Sequence, residues 1–489
     1  MTYYLGIDCG GTFIKAALFD EFGTMSACVR ENVPLISEQA GYAERDMPQL
    51  WQICAKVIKK TIEQSGVSAT EIKGVGISAQ GKGAFLLDKQ NQPLGRAILS
   101  SDQRALAIVK QWQQQGIPER LYPLTKQTLW TGHPVSILRW IKDNEPERYA
   151  QIGAVLMSHD YLRFCLSGEL GCEETNISES NLYNINTAQY DPQLAELLGL
   201  SGITEKLPPI IKPNQIAGYV TAEAAQFTGL AKGTPVVGGL FDVVSTALCA
   251  GLDDERKLNV VLGTWSVVSG VTDRIEDHPD IPFVYGRYAQ AGKFIIHEAS
   301  PTSAGNLEWF VKEFGDLSYQ AINDGVAALP ISESAVLFVP FLYGSNAGLG
   351  MKAGFYGIQA HHSKMHLFQA IYEGVLFSMK THLDRMLQRF PNTQVLRITG
   401  GPAKSQVWMQ MLADLTGMRV EVPQIEETGC FGAAMMAMEA DLASQGKTTS
   451  QLAQSLNLQC VIPNPQHFAV YQEKFKRYQQ FIQSLKSLI

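Results

Sequence analysis

The chain has 489 residues, enough for two or three domains, and 45% apolar against 18% charged residues is ordinary for a globular protein with a sizeable core. A net charge of −7 without any basic run argues against a nucleic-acid partner, while leaving room for a local cationic pocket for an anionic ligand. No stretch approaches about 18 uninterrupted apolar residues and the opening MTYYLGIDCGG lacks a secretory pattern, so a cytoplasmic protein without a membrane partner is expected.

Residues 3–20, YYLGIDCGGTFIKAALFD, read as a strand, a tight turn of small residues and a second strand. Gly10 and Gly11 let backbone N–H groups turn inward as an anion-binding nest, Thr12 adds a hydroxyl and Lys15 a charge, and Asp8 at the strand end is placed to hold a hydrated Mg²⁺. The same glycines would also serve a plain hairpin turn. A helix follows near Pro48–Gln64, with Asp46 as its cap and Leu50, Trp51, Cys54, Val57 and Ile58 on a core face. Residues 72–88 form a strand, a polar glycine-rich turn and another strand. Gln80 and Lys82 project from that turn, and Asp102 and Arg104 from the SSDQR segment beyond it. These polar loops follow strands and so could gather at one edge of a sheet, although solvated loops look the same in sequence.

Residues 104–150 read as mainly helical, with Pro146 ending the pattern, and Ser158–Asp160 as the cap of a helix Tyr161–Leu166. The hydroxyl- and amide-rich ETNISESNLYN at 174–184 reads as a loop. In GGLFDVVSTALCAG at 238–251, Asp242 precedes a helix-compatible run and is open to two readings, a helix cap or a positioned general base.

After a charged turn at 253–257, LNVVLGTWSVVSGVTD repeats the strand, small-residue turn and strand of the N-terminus without a counterpart of Asp8. The repeat suggests two similarly built halves, with a boundary near 245–256. A small-residue stretch then precedes an amphipathic helix within His297–Trp309, a strand enters a loop at Phe338–Leu349, and an amphipathic helix covers Met365–Met379. VLRITGG at 395–401 is a strand ending in Gly400 and Gly401, followed by a helix from Ser405 whose first-turn N–H groups would face anything bound on the diglycine. Tyr471, Phe475, Tyr478, Ile482 and Leu485 recur at helical spacing as a core stripe. The eight cysteines are scattered without CxxC spacing and read as reduced packing residues.

Together these pieces resemble the FGGY carbohydrate kinases over essentially the whole chain, from LGIDCGGTFIKAALFD through GGLFDVVSTALCAG and LGTWSVVSG to TGGPAKSQVWMQMLADLTG. Ala353–Glu373 fits the family's second signature at every position compared. GHPVSILRWIKDN meets the first only in part, with Ile137 where most members carry lysine, and Ser100 replaces the tryptophan before the D-x-R element. The resemblance implies two ribonuclease-H-like (actin/hexokinase-type) α/β domains facing a central cleft, divided as 1–245 for sugar and phosphate loop and 246–489 for nucleotide. It implies Asp242 as the base and a metal contact, with Asp8 on Mg²⁺. Gly10, Gly11, Thr12 and Lys15, with Gly263 and Thr264 opposite, would hold the ATP phosphates. Gly400, Gly401 and Ser405, together with Asn306 and Glu308, would lie on the adenosine side. Gln80, Lys82, Asp102 and Arg104 are the implied sugar-side residues. The expected activity is ATP-dependent phosphorylation of a ketopentose hydroxyl, with another ketose, a polyol or a sugar acid as alternatives and a homodimer as the assembly to test. An ATPase switch of the actin kind and a catalytically silent sugar sensor are the readings from other classes.

Overall fold

The computed structural model describes all residues except Thr264, Gly315, Asp316, Glu333, Asn346, Leu349, 447–456 and 487–489. The chain divides into two compact units. The first comprises Met1–Cys249, Asp273–Ile295 and the segment from Ile425 through the helix Thr428–Ser444; the second holds Ala250–Thr272, Ile296–Gln424 and the C-terminal strand and helix.

In the first unit the strands lie in the order Ile216–Tyr219, Pro235–Val237, Ile72–Ala79, Tyr3–Cys9, Phe13–Asp20, Met25–Asn32, and Leu240–Phe241 also pairs with Ile72–Ala79. Tyr3–Cys9 and Phe13–Asp20 form the expected antiparallel hairpin, in register from Tyr3 opposite Asp20 to Cys9 opposite Ile14. Tyr3–Cys9 runs parallel to Ile72–Ala79. Consecutive residues of these central strands are buried, so both sheet faces are covered. Helix Met47–Ser65 packs on the outer hairpin strands. Asp46 caps it by accepting from the Gln49 N–H at 2.7 Å; Leu50, Cys54, Val57 and Ile58 are buried, and Trp51 is half-buried.

Helix Thr428–Ser444 packs on Tyr3–Cys9 and Ile72–Ala79. A side chain at Gly6 would collide with the Cys430 carbonyl, and one at Gly76 with the Ala433 carbonyl; at Gly74 a Cβ would stand 3.0 Å from that of Ala437. Glycine at these positions lets helix backbone lie directly on strand backbone. This contact places the helix in the first unit, where the sequence reading drew a single boundary at 245/246.

In the second unit the order is Phe294–Ser300, Ser266–Thr272, Lys257–Leu262, Val395–Thr399, Arg419–Pro423, Leu458–Val461. Lys257–Leu262 is antiparallel to Ser266–Thr272 and parallel to Val395–Thr399. The sequence repeat is thus a repeat of hairpin plus parallel neighbour. The edge strand differs in chain order, preceding its partner in the first unit and following it in the second.

Helix Lys364–Arg389 runs ten residues beyond the expected end at Met379, because its buried face continues through Leu383 and Met386. Its Tyr372 ring stacks on Trp408 at 4.2 Å, and Phe377 meets Phe475 and Tyr478 of the C-terminal helix Pro465–Lys486. Glu373 binds Lys474 at 2.7 Å across the same two helices. Glu373→Ala would leave a largely buried ammonium unpaired, and a loss of about 2–4 kcal/mol in urea unfolding is the expected result.

Three local readings change. Pro146 opens a helix, Pro146–Gln151, instead of ending one, as suits proline in a first turn. The helix expected from Tyr161 begins at Ser158, with Asp160 in its first turn accepting from the Met157 N–H. The 174–184 run is a short helix, Glu174–Ile177, and a strand, Tyr183–Asn184, and all its residues are buried.

Candidate active site

The geometry around Asp242 starts with strand pairing. Leu240 lies opposite Ser78 and Phe241 opposite Ala79, while Asp8 is in register with Ser78, so Asp8 and the residues leading into Asp242 flank one central strand end. Gly239 turns at φ 98, and its missing side chain leaves room for the Ile77 carbonyl. The Phe241 N–H then donates to Thr175 Oγ1 at 2.9 Å, and Asp242 becomes the first residue of helix Asp242–Cys249. It stands at the positive end of that helix and receives a hydrogen bond from the Val243 N–H; as the first helical residue it lies one position inside the place of the expected cap.

Asp8 and Asp242 are both half-buried residues. Even so, the surrounding protein pushes Asp242 up to about 7, through burial first and the Asp8 charge second. Asp8 is pushed up to about 6, mainly by burial and against the pull of Lys15. Gly429, in the first turn of helix Thr428–Ser444, packs against the Asp8 carboxylate with no space for a Cβ.

The Gly10–Thr12 turn is gripped from behind. Buried Arg45 donates to the carbonyls of Gly10 at 3.3 Å and Gly11 at 2.7 Å. In a trans peptide the carbonyl and the following N–H point in opposite directions, so the N–H groups of Gly11 and Thr12 point away from Arg45. Gly11 and Thr12 are exposed, and the Gln80 side-chain oxygen lies against Gly11. Lys15 pairs with Glu427 at 2.6 Å.

Lys82 follows in an uncommon left-handed conformation, φ 63. Its N–H donates to Asn176 Oδ1 at 2.9 Å and its ammonium to Glu179 Oε2 at 2.6 Å. Thr175 and Asn176 are fixed in turn by Glu173, which accepts from both their N–H groups and from the Thr175 hydroxyl. His133, beside this pair, is held down to about 3 by burial and by the Lys82 charge, and is therefore neutral.

Asp102 and Arg104 are committed elsewhere. Asp102 accepts from the Ala43 N–H and from Arg104, whose guanidinium also donates to Glu44 and stacks 3.9 Å from the Tyr42 ring centroid. Arg104 is almost wholly buried in this cluster.

In the second unit, Gly263 and Gly400 follow adjacent parallel strands, and the Leu262 carbonyl occupies the space a side chain at Gly400 would need. Thr264 lies outside the described residues. A Cβ at Gly401 would meet nothing within contact distance. Ser405 caps helix Gln406–Thr416 by accepting from the Trp408 N–H and donates to Asn323 Oδ1 at 2.7 Å. On helix Gly305–Phe314, Asn306 is buried and donates to the Ser303 carbonyl, whereas Glu308 is exposed.

Sequence reasoning missed Arg45, Asn176, Glu179, Glu427 and Gly429. The available signal for Asn176 and Glu179 was a polar run without glycine or proline, unusual for a loop.

Residues 3–249 match the model of the N-terminal domain of the FGGY family of carbohydrate kinases, and residues 258–440 that of its C-terminal domain. The chain is 71% identical to a "Probable L-xylulose kinase" of Pasteurella multocida over 100% of both chains. It is 57% identical to an "L-xylulose/3-keto-L-gulonate kinase" of Escherichia coli over 99% of this chain and 97% of that one. The structure of a xylulose kinase from Lactobacillus acidophilus superposes with a TM-score of 0.90 at 21% identity, covering 99% of each chain, which establishes the two-domain α/β fold. Among the described residues no helix is long and apolar enough to cross a membrane. With a strand–turn–strand repeated in both units, a carboxylate opening a helix at the first sheet, and both family domains matched, the chain belongs to the FGGY family of carbohydrate kinases.

Proposed function

We propose that the protein transfers the γ-phosphoryl group of ATP to a hydroxyl of L-xylulose, giving L-xylulose 5-phosphate and ADP. The observation that carries this reading is Asp242, a carboxylate pushed up to about 7 at the start of a helix, beside Asp8 and a turn whose N–H groups are oriented by Arg45. The sugar is taken from the names of relatives at 57–71% identity.

Asp242 accepts the proton of the sugar hydroxyl as its oxygen bonds to the γ-phosphorus and the bond to the β,γ-bridging oxygen breaks. Gly11 and Thr12 offer N–H groups to the phosphate oxygens, whereas the Gly10 N–H is taken by the Phe13 carbonyl and that of Gly263 by the Trp265 carbonyl, so these two glycines shape their turns; Thr264 is assigned to the phosphates in the second unit. Lys15 adds charge from within its pair with Glu427. Gly400, Gly401, Ser405, Asn306 and Glu308 are assigned to the adenosine, and at Gly401 the space beside the backbone is open. Gln80 and Lys82 face the sugar, while Asp102 and Arg104 support that side through their cluster with Glu44.

Asp8 and Asp242 fit a divalent cation: burial raises the proton affinity of both carboxylates, the Asp8 charge raises that of Asp242 further, and positive charge relieves both. Two carboxylates are a donor set that Mg²⁺ accepts, since it is commonly held by one or two carboxylates together with water and substrate phosphates. Bound Mg²⁺ supplies charge neutralisation on the phosphate oxygens.

An ADP-release assay over pentuloses, hexuloses, polyols and sugar acids tests the proposal; turnover with no sugar faster than without sugar would overturn it. The pH profile follows from Asp242. A base must be ionised, and because its carboxyl is raised, kcat/KM is expected to fall as pH drops through about 7, with Asp8 adding to the loss near 6. Because Mg²⁺ at these carboxylates would favour their ionised forms, added Mg²⁺ should move the acid limb to lower pH, and an acid limb that survives unchanged in Asp242→Asn would remove Asp242 from the role.

A further inference from the structure

We infer that Glu179 is a specificity-determining residue: by pairing with Lys82 it keeps the sugar-side turn electrically neutral and so favours an uncharged ketose over a sugar acid. This rests on the assignment of the Gln80–Lys82 turn to the sugar.

Both members of the pair are buried, with side-chain exposures of 9% for Lys82 and 0% for Glu179, and they meet at 2.6 Å. Neither is a mobile surface group. The Lys82 backbone is tied to Asn176, three residues before Glu179, so the lysine and its partner are positioned by one short segment. On its other side Glu179 is backed by strand Tyr285–Arg287 of the same unit. The Gly286 backbone lies so close to the Glu179 carboxylate that a Cβ there would strike it, and the Arg287 N–H donates to Ser178. The Lys82 ammonium stands 5.3 Å from the centroid of the Phe241 ring, and Phe241 immediately precedes Asp242. Strand pairing of Phe241 with Ala79 fixes that proximity in the backbone.

A lone lysine on this turn would welcome a carboxylate. Here its charge is already met by a side chain that cannot swing away. An incoming sugar acid must therefore compete with Glu179 for the ammonium, and does so in the field of Glu179, Asp242 and Asp8, all carboxylates. A neutral ketose meets no such repulsion and takes hydroxyl contacts from groups already held in place. Specificity of this kind comes from an element set against the wrong ligand as much as from contacts to the right one. The double name of the Escherichia coli relative shows that the two substrate classes are both within reach of a close homologue.

The test compares kcat/KM for L-xylulose and for 3-keto-L-gulonate in wild type and Glu179→Gln. With the competing carboxylate removed, the sugar-acid to ketose ratio is expected to rise about tenfold or more, with the gain in KM for the acid. A purely structural pair would lower both substrates together, and an unchanged ratio in the folded variant overturns the inference. If Glu179→Gln does not fold, Glu179→Asp keeps the charge but shortens its reach, and a ratio rise of about two- to fivefold is expected; an unmoved ratio again overturns it. Wild-type enzyme active on neither sugar would instead overturn the functional reading, and this inference with it.

Discussion

Asp242→Asn is expected to lower kcat roughly 10²–10⁴-fold while ATP and sugar still bind. The substitution keeps the shape of the side chain and its place at the helix N-terminus, and removes only the capacity to take up a proton. Stability should move the other way. The raised carboxyl means that the ionised form is disfavoured in the folded protein, so it contributes stability that is complete below the ordinary carboxylate value and lost as pH rises through about 7. At higher pH the neutral amide relieves the repulsion with Asp8, and the metal-free variant should unfold at the same or higher urea concentration than wild type. Titration calorimetry with ATP and single-turnover phosphate transfer check the first half, and urea unfolding at pH 8 the second. Near wild-type turnover would remove Asp242 from catalysis.

Gly76→Ala should be among the most damaging small substitutions in the first unit, at about 3 kcal/mol or more. Its methyl group would fall on the Ala433 carbonyl, and neither the strand nor the helix backbone can step aside without losing its own hydrogen bonds. Gly74→Ala, two residues earlier on the same strand, meets the Ala437 methyl at 3.0 Å and the Ala437 backbone only at 3.6 Å, and should cost about 1 kcal/mol. The comparison, read as urea midpoints, isolates backbone contact from general crowding. Equal losses at the two positions would show that the close approach of helix and strand is not what the glycine protects.

How much of this was legible in the sequence depends on the range of the interaction. The hairpin at Tyr3–Asp20, its repeat at Lys257–Thr272 and the helix capped by Asp46 are set by alternation, periodicity and neighbouring side chains, and all three stand in the structure. The residues that complete the candidate site act across long separations. Glu179 meets Lys82 over 97 positions and Glu427 meets Lys15 over 412. No local pattern encodes such pairs. Ser405 shows both limits: the helix start expected at this residue lies within one position of the observed one, but the cap it makes and its second partner, Asn323, were not foreseen. The run at 174–184 was misread because polar composition signals solvent only when the polar groups lack partners inside, and here Glu173, Thr175 and Asn176 satisfy one another.

Helix Thr428–Ser444 has a consequence for how the protein is made. Synthesis proceeds from the N-terminus, so the strands carrying Gly6 and Gly76 leave the ribosome long before the helix that lies on them. Until then the nascent sheet has a flat glycine face without its cover, the kind of surface that favours association with other chains. A ribosome that stalls before residue 428 therefore leaves this sheet unfinished, and the first unit depends for completion on a helix made only after most of the second unit.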